Sequence, residues 1–462
     1  MSYETAVAQM YALGHELAQT PTHKFDLAHM RVLLAALGRP EKSFPSVLIA
    51  GTNGKGSTAA TLASILQASG LKTGLYTSPH LVRINERIRL DGQPISDDDF
   101  ALVHDVVGRT AERLVGEGDL PWHPSFFEML TAMAFEYFAR SRPEIVVLEV
   151  GMGGRLDATN VVEPRVSIIT DVSLDHQRFL GETVPEIARE KAGIIRPGGA
   201  VVTLPQLPEA NDVIGHAILD AGARAVNAVP YVPPVSPGSA ELWETGKTLT
   251  AEGAEFAEKG RQRRQRYSLD VLGSTIMVDS PLIGRHQLRN VALAVAAAVE
   301  LRDQGLEQLT PASIERGIRE THWPGRFQIV PPGGGRPECV LDVAHNPAGA
   351  WALRATLAAV YGERPVTMVF GVLRDKAVAE MTEILFPIAE RVIATHANNP
   401  RSATPAEIRQ ASARVAGEIG EAESVRAALE QAEQTAGTNG LVVATGSIYI
   451  VGEAMRALGA RI

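Results

Sequence analysis

Residues 47–58, VLIAGTNGKGST, constrain this chain more than any other stretch. A β-branched apolar run stops at Gly51, three glycines (Gly51, Gly54, Gly56) surround Lys55, and Ser57 and Thr58 open the amphipathic run TAATLASILQASG. The order is strand, loop, helix. Glycines let the backbone turn tightly with its N–H groups aimed at a polyphosphate. The helix N-terminus adds partial positive charge, lysine adds a full one, and a hydroxyl reaches Mg²⁺. Gly54, Lys55, Gly56, Ser57 and Thr58 are therefore the candidate ATP-phosphate residues. The loop departs from GxxxxGK[ST] once, because Ile49 stands where the first glycine belongs. The bland alternative is a glycine-rich turn between a strand and a helix.

Composition limits the partners. At 462 residues the chain exceeds one ordinary core and predicts two or three domains. A net charge of −9 argues against nucleic acid, so a polyanion would have to be held locally. The single Cys339 excludes an internal disulfide and a cysteine-only metal cage, as expected of a reducing compartment. MSYETAVAQMYALG lacks the pattern of a secretory signal, and no apolar run reaches membrane-spanning length. A cytoplasmic protein with no membrane partner is the expectation.

Apolar runs alternate with helical patterns along most of the chain. Strands are expected at Val47–Ala50, Thr73–Tyr76, Ile145–Val150, Val166–Thr170 and Ala200–Thr203, with helices near Ser57–Ser69, Pro124–Arg140, Pro185–Gly193, Asp212–Gly222 and His286–Arg302. Runs of continuous Val, Ile and Leu predict strands buried on both faces, hence a mainly parallel sheet between helices. Residues 228–266 break the rhythm with four prolines and a polar stretch ending in KGRQRRQR; they read as an excursion whose basic cluster is a solvated face. A second alternating unit begins near residue 338, with strands at Cys339–Val343, Val366–Phe370, Arg391–Ala394 and Leu441–Ala444. The Pro- and Gly-rich stretch 322–338 reads as the connection.

In an open α/β sheet, ligands bind beyond the C-terminal ends of the strands. Those ends carry polar groups here: Ser78 and His80 in TSPH, Glu149 before GMGGRLDATN, and Asp171, Asp175 and His176 in DVSLDH. Ser57, Ser78, Glu149 and His176 could converge beside the phosphate loop, where hydroxyls, a carboxylate and an imidazole suit Mg²⁺ shared with ATP. Singly, each also has a structural reading as a turn residue, a strand-end charge or a satisfied surface histidine.

GTNGKGS (51–57), TSPHL (77–81), LEVGMGGRLDATN (148–160), DVSLDHQRFLG (171–181), EKAGIIRPG (190–198), HQLRNVALA (286–294), WPGR (323–326) and LDVAHNP (341–347) together resemble the folylpolyglutamate synthase/dihydrofolate synthase family of Mur ligases. The resemblance implies an α/β protein: a P-loop NTPase-like, mainly parallel sheet domain over 1–323 with the ATP and folate sites, then a smaller Rossmann-like domain over 324–462. It implies a monomeric, ATP-dependent ligase that adds L-glutamate to dihydropteroate or a reduced folate through an acyl phosphate.

Roles implied by the resemblance follow residue by residue. Lys55 would bind the ATP phosphates. Ser57, Ser78 and Glu149 would hold one Mg²⁺ and His176 would help hold a second. Lys191, in REKAGI, matches the lysine the family carbamylates, which turns a cation into a carboxylate-like ligand; its structural reading is a helix-surface lysine near Glu186 or Glu190. Asn290, Arg326 and Asp342 match nucleotide contacts, and His345 would lie near the reacting phosphate. Val343 replaces the glycine of the usual LDGAHN. For the pteroate part, the candidates are Asp26, Arg31, His80, Ser125, Phe126, Phe127, Glu128 and Arg155. Phe126 and Phe127 could flank a flat ring while Glu128 accepts its N–H donors, or both rings could sit in the core of an amphipathic helix. The balance between the two synthase activities stays open, as do a Mur-type ligase for another acid and a nucleotide-dependent binding module.

Overall fold

The structure is a computed structural model that describes residues 1–14, 27–234, 263–415, 417–438 and 440–461. The described residues fall into two compact units, one comprising Met1–Val232, Asp270–Ile276 and Arg289–Ile318, the other the remainder. Each has its own sheet and core. The α/β architecture with a larger, mainly parallel first sheet and a smaller second one is the architecture expected from the sequence.

The first unit is built on eight strands: β1 (Ser46–Ala50), β2 (Thr73–Tyr76), β3 (Ile88–Leu90), β4 (Gln93–Pro94), β5 (Ile145–Glu149), β6 (Val166–Ile169), β7 (Ala200–Thr203) and β8 (Arg224–Asn227). Their order is β4-β3-β2-β5-β1-β6-β7-β8. From β2 to β8 the neighbours run parallel, and β3 and β4 extend one edge antiparallel. Every residue of β1 and β5 is buried, as strands covered on both faces by helices must be. Chain connections from β1 lead to one side and those from β6 to the other, so the sheet reverses direction between them. That is where an open α/β sheet forms its ligand crevice.

One long helix, Asp97–Glu117, lies outside every expectation from the sequence. Ser96 caps it, three aspartates fill its first turn, and Gly118 ends it at φ +83°. Phe100, Val103, Val107, Ala111 and Leu114 form its buried stripe. It covers the core beside the helix Phe126–Ser141.

The reading of 228–266 as an excursion needs correction at its end, while 235–262 lie outside the described residues. Gln265 opens β9 (Gln265–Val271), which pairs with β10 (Ser274–Ser280), and burial alternates strictly along β9. The turn between them, Leu272-Gly273, takes positive φ at both residues, as a tight hairpin requires. The basic cluster is not simply solvated: Arg264 and Arg266 both pair with Asp279, at 3.0 and 2.9 Å.

The second unit carries six strands, β11 (Gln328–Val330), β12 (Glu338–Asp342), β13 (Val366–Phe370), β14 (Arg391–Ala394), β15 (Ile419–Glu421) and β16 (Leu441–Thr445), in the order β11-β12-β16-β13-β14-β15. All neighbours are parallel except β11 with β12. Val340, Met368, Phe370, Val392 and Val443 form the centre of its core. Among the described residues no helix is long and apolar enough to cross a membrane.

The helix after the phosphate loop is seated by a close backbone approach. A Cβ on Gly317 would lie 2.3 Å from the Ile65 Cα, and Ser64 Oγ donates to the Gly317 carbonyl at 2.7 Å. A methyl there forces the two helices apart, and overpacking of this kind costs about 1–3 kcal/mol. Gly317→Ala should therefore lower the unfolding free energy read from urea denaturation by that amount, and an unchanged urea midpoint would show that the contact relaxes freely.

Candidate nucleotide and ligase site

β1 delivers its chain into a loop that only glycine can make. Gly51 has φ +155°, and a Cβ there would sit 1.8 Å from Thr170 Oγ1; Gly54 has φ +91°, and its Cβ would lie 2.2 Å from Asn290 Oδ1. From Gly54 the chain enters the helix Lys55–Ala68, whose first turn has no side-chain cap. Amides left uncapped at a helix N-terminus are the usual donors to an anion. The loop is docked on the segment after β6: Thr52 and Asn53 N–H donate to the Asp171 carbonyl at 2.8 and 3.2 Å, and Thr52 Oγ1 donates to the Ser173 carbonyl at 2.9 Å.

Two ammonium groups meet at one oxygen of this loop. Lys55 Nζ donates to the Gly51 carbonyl at 3.0 Å and to that of Thr52 at 3.2 Å. Lys191 Nζ donates to the same Gly51 carbonyl at 2.8 Å. Lys191 projects from the helix Val184–Ala192, which a Thr183–Glu186 capping box starts, and it is only 3% exposed. Burial first, then the charge of Lys55, bring its pKa down to about 7, against partial support from Asp175 and Asp157. Lys191 is thus a core lysine and not the surface ion-pair residue of its alternative reading.

The expected metal-site residues sit on adjacent strands. β2, β5, β1 and β6 are consecutive neighbours and parallel, so Ser78, Glu149, the phosphate loop and His176 follow strand ends along one sheet edge. Glu149 is opposite Ile49, is 4% exposed, and accepts from the Ser78 N–H at 3.2 Å. Ser57 is buried in the first turn of the helix. His176 adopts φ +51°, unusual for a residue with a side chain, and its N–H donates to Asp175 Oδ1 at 2.8 Å. Among the described residues no three His, Cys, Asp or Glu side chains gather as a metal cluster. A cation held by two hydroxyls and one carboxylate takes its remaining oxygens from a ligand. Hydroxyl and carboxylate oxygens are the donors such a shared ion takes, and Ser57 and Glu149, which offer them here, are both buried.

The loop after β5 packs against the Lys191 helix. Gly154 has no room for a side chain beside the Glu190 and Lys191 carbonyls, and Arg155 pairs with Glu190 at 2.9 Å. Asp157, to which sequence reading gave no role, is the organiser of this loop. Its carboxylate accepts from the N–H groups of Met152 and Thr159 and from Thr159 Oγ1, and burial raises its pKa. Its signal in the sequence was an Asx-type turn, Asp-Ala-Thr, inside a glycine-rich loop.

The pteroate candidates separate into groups. Asp26 lies outside the described residues, and Arg31 is exposed on the helix Leu27–Ala36, where its charge reaches the half-buried Arg196. His80 Nδ1 accepts from Arg87 Nε at 2.8 Å, and its Nε2 lies 3.3 Å from the Tyr11 hydroxyl. Ser125 and Glu128 form a capping box, with Glu128 Oε2 accepting from Ser125 N–H and Oγ at 2.9 and 2.6 Å. Phe126 is 4% exposed and stacks on Tyr11, while Phe127 fills the space above Gly151. The segment thus starts a helix, with Phe126 in the core and Phe127 half-buried against it, an arrangement that suits either reading of its sequence.

In the second unit, Asp342 ends β12 and holds the turn beyond it. Its oxygens accept from the N–H groups of Phe327 and Ala344 at 2.8 and 2.9 Å. Burial raises its pKa, opposed by the neighbouring Arg326. His345 Nδ1 lies 3.0 Å from the Val343 carbonyl, which can only accept, so Nδ1 carries a proton.

A family profile described as "Mur ligase, glutamate ligase domain" matches residues 325–448. The folylpolyglutamate synthase of Lacticaseibacillus casei is 36% identical over 386 residues, 83% of each chain. The dihydrofolate synthase/folylpolyglutamate synthase of Bacillus subtilis is 34% identical over 436 residues, 94% of each chain. A crystal structure of Mycobacterium tuberculosis folylpolyglutamate synthase complexed with ADP and AMPPCP superposes over 99% of both chains, with a TM-score of 0.84 and 31% identity. With such likeness over nearly its whole length, this chain belongs to the folylpolyglutamate synthase/dihydrofolate synthase family of Mur ligases.

Proposed function

We propose that this chain is an ATP-dependent ligase that joins the amino group of L-glutamate to a carboxylate of dihydropteroate or a reduced folate, with both synthase activities on one chain. The observation that carries the reading is a glycine loop that opens an uncapped helix N-terminus with Lys55 folded back onto it, beside the buried Glu149. That concentration of positive charge calls for a polyanion, and the similar proteins bind ADP and AMPPCP or are named for folate glutamylation.

A carboxylate does not condense with an amine at neutral pH without activation. The γ-phosphoryl group passes to a carboxylate oxygen of the acid, giving an acyl phosphate and ADP. The neutral amine of glutamate attacks the acyl carbon, gives up a proton, and inorganic phosphate leaves as the C–O bond to it breaks. Lys55 leaves the Gly51 and Thr52 carbonyls for phosphate oxygens, joined by the Gly54–Thr58 amides, and Asn290 backs the loop from behind Gly54. Arg326, Asp342 and His345 are the second unit's nucleotide-side residues, within a 324–462 domain that follows a 1–323 domain bearing the ATP and folate sites.

Mg²⁺, when bound, neutralises charge on the phosphate oxygens; Ser57, Ser78 and Glu149 are suited to hold one ion, and His176 with modified Lys191 a second. Lys191 is prepared for that modification. With its pKa near 7 a large fraction is free amine at neutral pH, and a free amine adds to CO₂ to give a carbamate and a proton. The product replaces a cation beside Lys55 by an anion.

An ADP-release assay with ATP, Mg²⁺ and glutamate tests the reading. Both dihydropteroate and tetrahydrofolate should stimulate release, and release independent of glutamate and of either acid would rule it out. Glu149→Gln and Lys191→Ala should each lower turnover at least about a hundredfold while the fold persists; full activity in Lys191→Ala would remove the carbamate assignment.

Titration of Lys191 supplies a separate check. Its folded pKa is below its unfolded value, so between pH 7 and 10.5 the unfolded chain binds the extra proton and stability rises with pH. In CO₂-free buffer Lys191→Met should thus be more stable than wild type at pH 7, with the gap shrinking by a few kcal/mol toward pH 10.5. A gap independent of pH would mean that Lys191 is not desolvated.

A further inference from the structure

One bidentate ion pair in the first unit has no place in the reaction described above. Arg289 Nε and Nη2 both donate to Asp171 Oδ1, at 2.9 and 2.5 Å, and Nε also reaches Oδ2 at 3.1 Å. A guanidinium fork on a carboxylate fixes direction as well as distance. Both partners are rooted in the site. The Asp171 carbonyl receives the N–H groups of Thr52 and Asn53 from the phosphate loop. Arg289 Nη2 also donates to the Pro205 carbonyl, beside Gln206, whose side chain closes on the Val172 N–H and the Thr170 carbonyl. The residue after Arg289 is Asn290, 3% exposed, whose Oδ1 occupies the space a Gly54 side chain would need.

These contacts close a ring. It runs from Asn53 to Asp171, across the ion pair to Arg289, along the chain to Asn290, and back to Gly54, the covalent neighbour of Asn53. Its members come from the segments after β1 and β6 and from the helix Arg285–Asp303, so no local sequence signal holds them in register.

We propose that Asp171 and Arg289 are positioning residues for nucleotide binding, holding Asn290 and the phosphate loop in the one register that presents the Gly54–Thr58 amides to a triphosphate. The proposal rests on the nucleotide reading of the loop, but not on the identity of the acid. Neither residue touches phosphate; each acts through Asn290 or the loop backbone. The pair is about one-third exposed, with 31% and 38% of the two side chains open, so as a bare ion pair it adds little to global stability. Its effect is directional.

Calorimetric titration with AMPPCP and Mg²⁺, beside thermal melting, tests this. Asp171→Asn and Arg289→Gln should each weaken AMPPCP binding about tenfold, the double variant should be no weaker than either single one, and the melting temperature should hardly move. Arg289→Lys, which keeps the charge without the fork, should fall between wild type and Arg289→Gln. Unchanged affinity in the single variants, or additive losses in the double one, would overturn the proposal. So would affinity losses that track melting temperature across all four variants. A wild-type protein that binds AMPPCP with this coupling yet releases no ADP with pteroates and glutamate would refute the ligase reading and leave the positioning proposal standing.

Discussion

Everything else in the first unit is arranged around two lysine ammoniums sharing the carbonyl of Gly51. Two unit charges a few ångströms apart at an effective dielectric of about 20 repel by on the order of 4 kcal/mol. A single neutral oxygen does not offset that. The fold tolerates the repulsion because Lys191 gives up charge easily, its pKa having come down to about 7, and because the Asp171 carbonyl also holds the loop through the N–H groups of Thr52 and Asn53. Lys55 and the uncapped amides of the helix it opens leave the loop positive before any nucleotide arrives. Preorganised charge of this kind needs little reorganisation at the moment of phosphoryl transfer.

Topology explains why these groups can meet. Parallel neighbours β2, β5, β1 and β6 end on one edge, so four stretches far apart in sequence present Ser78, Glu149, Lys55 and His176 side by side. The reversal of connection direction between β1 and β6 opens space where the loop and the DVSLDH segment face each other. Glu149 is held by the Ser78 N–H, so the carboxylate and the hydroxyl expected to share a cation are already coupled through the backbone.

Much of this was legible because strand, loop and helix signals were local. The β1–loop–helix unit, the strand ends and the second α/β unit follow from runs of buried β-branched residues and from glycines at positive φ. The Asp97–Glu117 helix shows what local reading can pass over. Ser96, the three aspartates and Gly118 mark its ends clearly, but the alternation expected of a βαβ chain draws attention to strands on either side of it. The hairpin of β9 and β10 was masked differently, by a basic cluster whose arginines pair with Asp279, a residue on the opposite strand. Nor could sequence alone choose between the two readings of Phe126 and Glu128. A capping box and a ring-binding carboxylate draw on the same residues, and the Ser125 contacts form the first of these.

Val343 is a case in which departure from a family pattern is settled by backbone geometry. A glycine is required where φ is positive or where a Cβ would collide. Val343 is not among the residues with positive φ, and its side chain is buried in the second unit. Its N–H donates to the Gly325 carbonyl at 3.0 Å. The shape of the turn is imposed by the Asp342 carboxylate, which grips the amides of Phe327 and Ala344 on either side. With the turn fixed from Asp342, residue 343 needs no conformational freedom of its own. The same geometry directs the Val343 carbonyl at His345 Nδ1, so the backbone of this position, and not its side chain, orients the imidazole. A valine therefore fits where glycine is usual, and it adds apolar burial at the end of β12 without altering the histidine it helps to aim.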